Sequence, residues 1–164
     1  MATTRDEQPH KREDLADAVL AASRALIAVA ARSIATAGAD VTLAQYRVLI
    51  ELAAGGPQRL ADLAAILGVD RSAMTRMADR LARKRLVNRR RVASDRRGVR
   101  VSLTPAGREL VQNVSRRRRA EIAEIVGRMK QVDTHAAIAA LRSFADATGE
   151  VPEEYWSLKS DDVQ

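Results

Sequence analysis

The chain has no cysteine, so disulfides, thiolate metal sites and thiol-based redox sensing are excluded. Aromatic residues make up only 2% of it. Its core must therefore be built from Ala, Leu, Val and Ile, a composition that suits closely packed helices better than a β-sandwich. The two histidines, His10 and His135, are too few for a histidine-based zinc site. No Ser-His-Asp or Cys-His arrangement, catalytic carboxylate pair or glycine-rich phosphate loop stands out, so the sequence does not read as an enzyme. There is also no long uninterrupted hydrophobic run. The most apolar stretch, residues 15–37, is broken by Asp17, Arg24 and Arg32, and reads as a buried or interface helix rather than a membrane span. Residues 1–15 are polar and charged, unlike a signal peptide. The expectation is a cytoplasmic protein with no metal, no cofactor and no membrane partner.

What is present is a usable core and a concentrated charge. A hydrophobic content of 46% over 164 residues fits one domain, with room for an extra helical layer. Residues 70–100 hold eleven arginines and one lysine against Asp70, Asp79 and Asp95, a net of +9 in a chain whose total is +7. The remainder is therefore slightly acidic, and a polyanion is the partner that this one segment suits.

Along the chain, residues 1–11 read as a disordered extension and 12–37 as a first helix, with a stripe of Leu15, Val19, Leu20, Leu26, Ile27 and Ile34. Thr42 and Gln45 form a capping box opening a second helix to about residue 54, with Val41 and Tyr46 as its hydrophobic staple. Gly55-Gly56-Pro57 breaks it. A short helix over 59–67 ends at Gly68. Asp70 is positioned to cap a fourth helix reaching about residue 84, and Val69 with Met74 repeats the staple. Its inward face is predicted as Met74, Met77, Ala78 and Leu81, and its outward face as Arg71, Ser72, Thr75, Arg76, Asp79 and Arg83. A strand over 86–92, a turn over 94–98 and a strand over 99–103 make a hairpin. Thr104-Pro105 opens a long helix to about residue 129. A last helix covers 134–147. The segment 148–164 is an acidic tail, for which Tyr155 and Trp156 are the docking candidates.

Two short helices meeting at Gly68 have the spacing of a helix-turn-helix, whose second helix lies in the major groove with its N-terminal residues nearest the base edges. Arg71, Ser72, Thr75 and Arg76 suit that role, since arginine can read guanine bidentately and hydroxyls can bond bases or phosphates. The free amides at the start of the helix also favour a phosphate. The β-ribbon that follows carries Arg96, Arg97 and Arg100 and can reach a minor groove, where the potential is most negative. Asp95 in the turn can pair with Arg97 and fix its direction. A solvated arginine face is the plainer reading of each element; the basic hairpin directly after the helix pair favours DNA.

Leu63-Ala64, the run Leu67-Gly68-Val69-Asp70-Arg71-Ser72-Ala73-Met74-Thr75-Arg76, and Leu81 through Leu86-Val87 resemble the helix-turn-helix of the MarR family of winged-helix regulators. Ser94-Asp95-Arg96-Arg97-Gly98-Val99-Arg100-Val101-Ser102-Leu103-Thr104-Pro105-Ala106-Gly107 is similar to that family's wing and the start of its next helix. The resemblance implies a mainly α fold with a small β-hairpin wing (α+β). Within a domain over 12–147, it assigns the winged helix-turn-helix to about 42–104 and dimerisation to helices 12–37 and 104–147. It implies a homodimer binding an inverted repeat in double-stranded DNA, with release triggered in many members by a small aromatic effector. The residues it nominates are Arg71, Ser72, Ala73, Thr75, Arg76 and Arg80 on the recognition helix, and Asp95, Arg96, Arg97 and Arg100 on the wing. Arg59 stands where Ser or Thr often starts the third helix; it can still hold a phosphate, but the cap is lost.

Tyr46, Met74 and Met77 fall at core spacing and are also the candidates to line a ligand pocket. Arg116–Arg119 are four consecutive helical positions, about 100° apart, so they cannot form one patch. Pairing with Glu121 and Glu124, or with a partner chain's acids, suits them better than DNA. A winged helix can also serve RNA or a protein partner without operator specificity. RNA modules usually display stacking aromatics, and none lies between Tyr46 and Phe144. A protein-docking module has no need of +9 on the recognition helix and hairpin.

Overall fold

The computed structural model describes residues 7–38, 40–92 and 95–156, with side chains over 10–38, 40–91 and 98–156. Among them the order is α1 (Glu7–Thr36), α2 (Leu43–Gly55), β1 (Gln58–Arg59), α3 (Leu60–Ile66), α4 (Arg71–Arg83), β2 (Val87–Val92), β3 (Asp95–Leu103), α5 (Pro105–Gly127), α6 (Thr134–Thr148) and a 3₁₀ turn (Glu153–Tyr155). The expected mainly α fold with a small hairpin wing is what forms. At its start the chain departs from expectation: α1 begins at Glu7, so residues 7–11 are helical rather than part of a disordered extension.

The caps explain most of the boundaries. Thr42 Oγ1 accepts from the Gln45 amide at 3.2 Å while Gln45 Oε1 accepts from the Thr42 amide at 3.1 Å, closing the capping box of α2. Gly68, at φ +61, makes the left-handed turn between α3 and α4. Asp70 occupies the N-cap of α4, but its side chain makes no cap bond; the cap inferred from sequence is positional only. At α5 the Thr104 hydroxyl accepts from the Gly107 amide at 3.0 Å and donates to the Arg85 carbonyl at 2.7 Å. Arg85 itself has a positive φ of 59, so Thr104 holds a strained turn at the exit of α4. Gly107 packs so closely that an added Cβ would run into the Leu86 carbonyl oxygen. The Leu-Thr-x-x-Gly run is thus the joint between wing, recognition helix and α5.

The sheet is antiparallel in the order β1-β3-β2. β1, two residues long, is absent from the sequence expectation. It pairs Gln58 with Val101 and Arg59 with Arg100, and Gln58 Nε2 donates to the Glu51 carbonyl at 2.8 Å. β3 also runs from Asp95, through residues expected to be turn.

The core lies where α2, α3, α4, β3 and α5 meet. Leu49, Leu63, Met74, Leu81, Val101, Val111 and Val114 are fully buried there. Lys84 at the end of α4 donates to the Asp40 carboxylate at 2.9 Å, tying the fourth helix to the α1–α2 connection. α1 contributes Val29, Ser33 and Ile34 to the interior, but Leu15, Leu20, Leu26 and Ile27 stay exposed. By length and composition alone α1 passes as long and apolar enough to cross a membrane over residues 10–36, a test that the core helix of a soluble protein also passes. Its inner residues are packed against the chain, and Arg32 donates to Glu121 of α5 at 2.9 Å. α6 buries no residue: Ile138, Leu141 and Phe144 all remain exposed.

Candidate nucleic-acid interface

Helix α4 divides as its periodicity predicts. Met74, Ala78 and Leu81 are fully buried, and Met77 packs half-buried against them. Arg71, Ser72, Arg76, Arg80 and Arg83 are exposed on the other side, with Ala73 and Thr75 half-buried between the two faces. Thr75 Oγ1 donates to the Arg71 carbonyl at 2.8 Å, which leaves its lone pairs as acceptors. One sequence assignment changes: Asp79 is not a free outward carboxylate but is ion-paired with Arg89 on β2. That pair removes one positive and one negative charge from the exposed set and pins the wing's first strand to the recognition helix.

The sheet adds a feature that sequence alone does not reveal. Arg100 lies opposite Arg59 on one side and Arg90 on the other. Residues directly opposite in antiparallel strands share a face, so Arg59, Arg100 and Arg90 form a row across the three strands, and all three are exposed. No acidic side chain among the described residues pairs with them. A row of like charges costs stability, and an anionic partner is what offsets it. Arg59 sits at the N-cap of α3 without a side-chain cap bond, as expected of a guanidinium, which donates and cannot accept. Asp95, Arg96 and Arg97 lie on the β3 backbone; their side chains are outside the described residues.

A second feature lies on the other side of α2. A cleft of roughly 990 Å³ is lined by Leu26 and Ile27 of α1, Tyr46 and Ile50 of α2, Arg118 of α5, Phe144 of α6 and Trp156 of the tail. Of the three pocket candidates, only Tyr46 lines it. Met74 belongs to the core cluster instead, and Met77 packs against it. Burial pushes the Tyr46 phenol above its ordinary range, while the Ser115 hydroxyl and the Arg118 charge act the other way. Arg118 Nε is buried with no hydrogen-bond partner among the described residues.

Two arginines of the 116–119 run, Arg116 and Arg119, find partners other than the expected Glu121 and Glu124. Arg119 pairs with Glu153 at 3.1 Å, Arg116 bonds Asn113, and Glu121 is taken by Arg32. Among the described residues no group of three or more His, Asp or Glu side chains is placed to hold a metal.

The MarR family model matches residues 41–99, from the start of α2 into the wing. The multiple antibiotic resistance protein MarR of Salmonella typhimurium is 37% identical over 78 residues, which cover 48% of this chain and 54% of that protein. The chain thus spans about half the length of the curated relatives it matches. The likeness to solved structures is longer. RV1404 from Mycobacterium tuberculosis is 39% identical with a TM-score of 0.78, covering 92% of this chain and 99% of that one. BpsR of Bordetella bronchiseptica, whose DNA binding is regulated by 6-hydroxynicotinic acid, is 25% identical with a TM-score of 0.61, over 81% of this chain and 99% of that one. A winged helix-turn-helix matched by the family model, inside a fold shared over almost the whole chain, makes this protein a member of the MarR family.

Proposed function

We propose that the protein is a cytoplasmic transcriptional regulator that binds double-stranded DNA sequence-specifically. It acts as a homodimer on an inverted repeat, as a repressor that a small aromatic effector releases. The observation that carries this reading is the two-sided α4: a fully buried Met74–Ala78–Leu81 face beneath an exposed face of Arg71, Ser72, Arg76 and Arg80. A helix held this rigidly from below and basic above suits insertion into a major groove. The Arg59–Arg100–Arg90 row supplies phosphate contacts beside it, and Arg97 of the wing enters the minor groove, braced by Asp95. Dimerisation through α1, the end of α5 and α6 is supported by the exposed Leu15, Leu20, Val126, Met129 and Leu141, apolar side chains of a kind that monomers rarely leave uncovered in numbers. The effector is assigned to the cleft, whose size and apolar walls suit a small organic ligand, in keeping with the regulation of BpsR by an aromatic acid.

Selection from a pool of random duplexes with the full-length protein tests this. Enrichment of an inverted repeat with half-sites about one helical turn apart is the expected result. Recovery of no common sequence, or of single-stranded RNA in preference to duplex, overturns it.

A further inference from the structure

We propose that residues 150–156 form a strap closing the cleft, and that an apolar organic anion enters by exchange with it: the ligand carboxylate takes the Arg118–Arg119 edge, Glu153 leaves Arg119, and Trp156 lifts out. The inference deepens the effector reading and rests on the cleft being a ligand site. It does not rest on DNA binding.

The strap is a discrete unit. α6 ends at Gly149 in a left-handed turn, φ +71, and the chain then doubles back over α2 and α5. Glu150 receives two hydrogen bonds from Arg47, at 3.0 and 2.7 Å. Glu153 receives one from Arg119 at 3.1 Å. The Trp156 indole Nε1 donates to the strap's own Val151 carbonyl at 2.9 Å, so the ring travels with the segment. Trp156 is 8% exposed, whereas Val151 is 42% and Tyr155 71% exposed. Among the described residues, its side chains are held by one buried ring and two partly solvated ion pairs, and such pairs contribute little individually.

The wall behind the strap is unfinished. Arg118 contributes a buried Nε with no acceptor among the described residues, a hydrogen bond that is costly to leave unmade. Leu26, Ile27, Ile50 and Phe144 around it are apolar. A carboxylate on an apolar body satisfies both at once, because arginine binds carboxylates through charge-assisted, often forked hydrogen bonds. Glu153 already offers such a carboxylate to the neighbouring Arg119 and is thus a built-in competitor. The strap also joins the end of α6 to α2, so its release loosens a tie between the outer helices and the winged unit.

Trp156 is the sole tryptophan of the chain, so its fluorescence reads the strap directly. The full-length protein, without DNA, is titrated with benzoate as the probe and with uncharged benzamide as control. Red-shifted emission and greater acrylamide quenching on benzoate but not benzamide are expected. Glu153→Gln, a partly exposed position, should lower the benzoate Kd about threefold by removing the competitor. Arg118→Met should raise it about tenfold or more. Benzoate binding detected by calorimetry with unchanged Trp156 emission and an unchanged Kd in Glu153→Gln overturns the exchange while leaving the cleft as a ligand site. No benzoate binding to either wild type or Glu153→Gln overturns both. Duplex selection is a separate experiment, so failure of the DNA reading is distinguishable from either result.

Discussion

Asp79 of the recognition helix is ion-paired with Arg89 of the wing's first strand. The two elements that face the proposed DNA are therefore joined to each other as well as to the core. Both side chains are about one-third exposed, so the pair is worth about 0.2–1 kcal/mol. Asp79→Asn and Arg89→Gln should each lower unfolding stability by that order in urea melts. The double variant should be no worse than the poorer single one. Strictly additive losses would show that the two do not interact.

The Arg59–Arg100–Arg90 row makes the opposite prediction for stability and for binding. Arg100→Thr relieves like-charge repulsion in the middle of the row and should raise stability by a few tenths to about 1 kcal/mol. The same change should weaken duplex binding and reduce the salt slope by about one. A variant that is both less stable and unaltered on DNA would remove the row from the interface.

Gly107→Ala tests the joint at the start of α5. A Cβ there meets the Leu86 backbone carbonyl, which cannot move without disturbing the Thr104 amide bond to the same oxygen at 3.1 Å. A loss of about 1–3 kcal/mol or more follows, read as a lowered thermal midpoint. Wild-type stability would mean that α5 can shift away from the wing.

Much of this architecture is legible in the sequence. The capping box at Thr42, the Gly68 turn, the Thr104-Pro105 start and the inward face of α4 are local signals, and each appears as read. What the sequence hides depends on contacts distant along the chain. β1 is two residues long and exists only because β3 offers an edge, so no periodicity can announce it, and the arginine row is hidden with it. Helical spacing turns Asp79 toward solvent because it cannot see Arg89 ten residues later on a strand. The spacing of Met74 and Met77 suits a core as well as a pocket wall, and the core is where they lie. The cleft needs α1, α2, α5, α6 and the tail together; its one local hint is a lone tryptophan in an acidic tail.

Tyr46 links the cleft to pH. Burial raises its phenol pKa above the ordinary value of 10.0. A group whose folded pKa is raised contributes stability that is present below its unfolded pKa and is lost as pH rises through the folded one. Stability should therefore fall as pH climbs above about 10. Tyr46→Phe should flatten the fall in denaturant midpoints measured across that range. An equally steep fall in Tyr46→Phe would assign the alkaline loss elsewhere.

The functional reading depends above all on the exposed face of α4 reading duplex DNA. Fluorescence anisotropy at one fixed salt concentration puts this to the proof, comparing the selected inverted repeat with a scrambled duplex for wild type and Arg76→Ala. Wild type should prefer the repeat by at least about a thousandfold. Arg76→Ala should lose about 1–3 kcal/mol on the repeat with little change on the scrambled duplex. Equal affinity for the two duplexes, or an Arg76→Ala variant indistinguishable from wild type on the repeat, would refute a base-reading role for this helix.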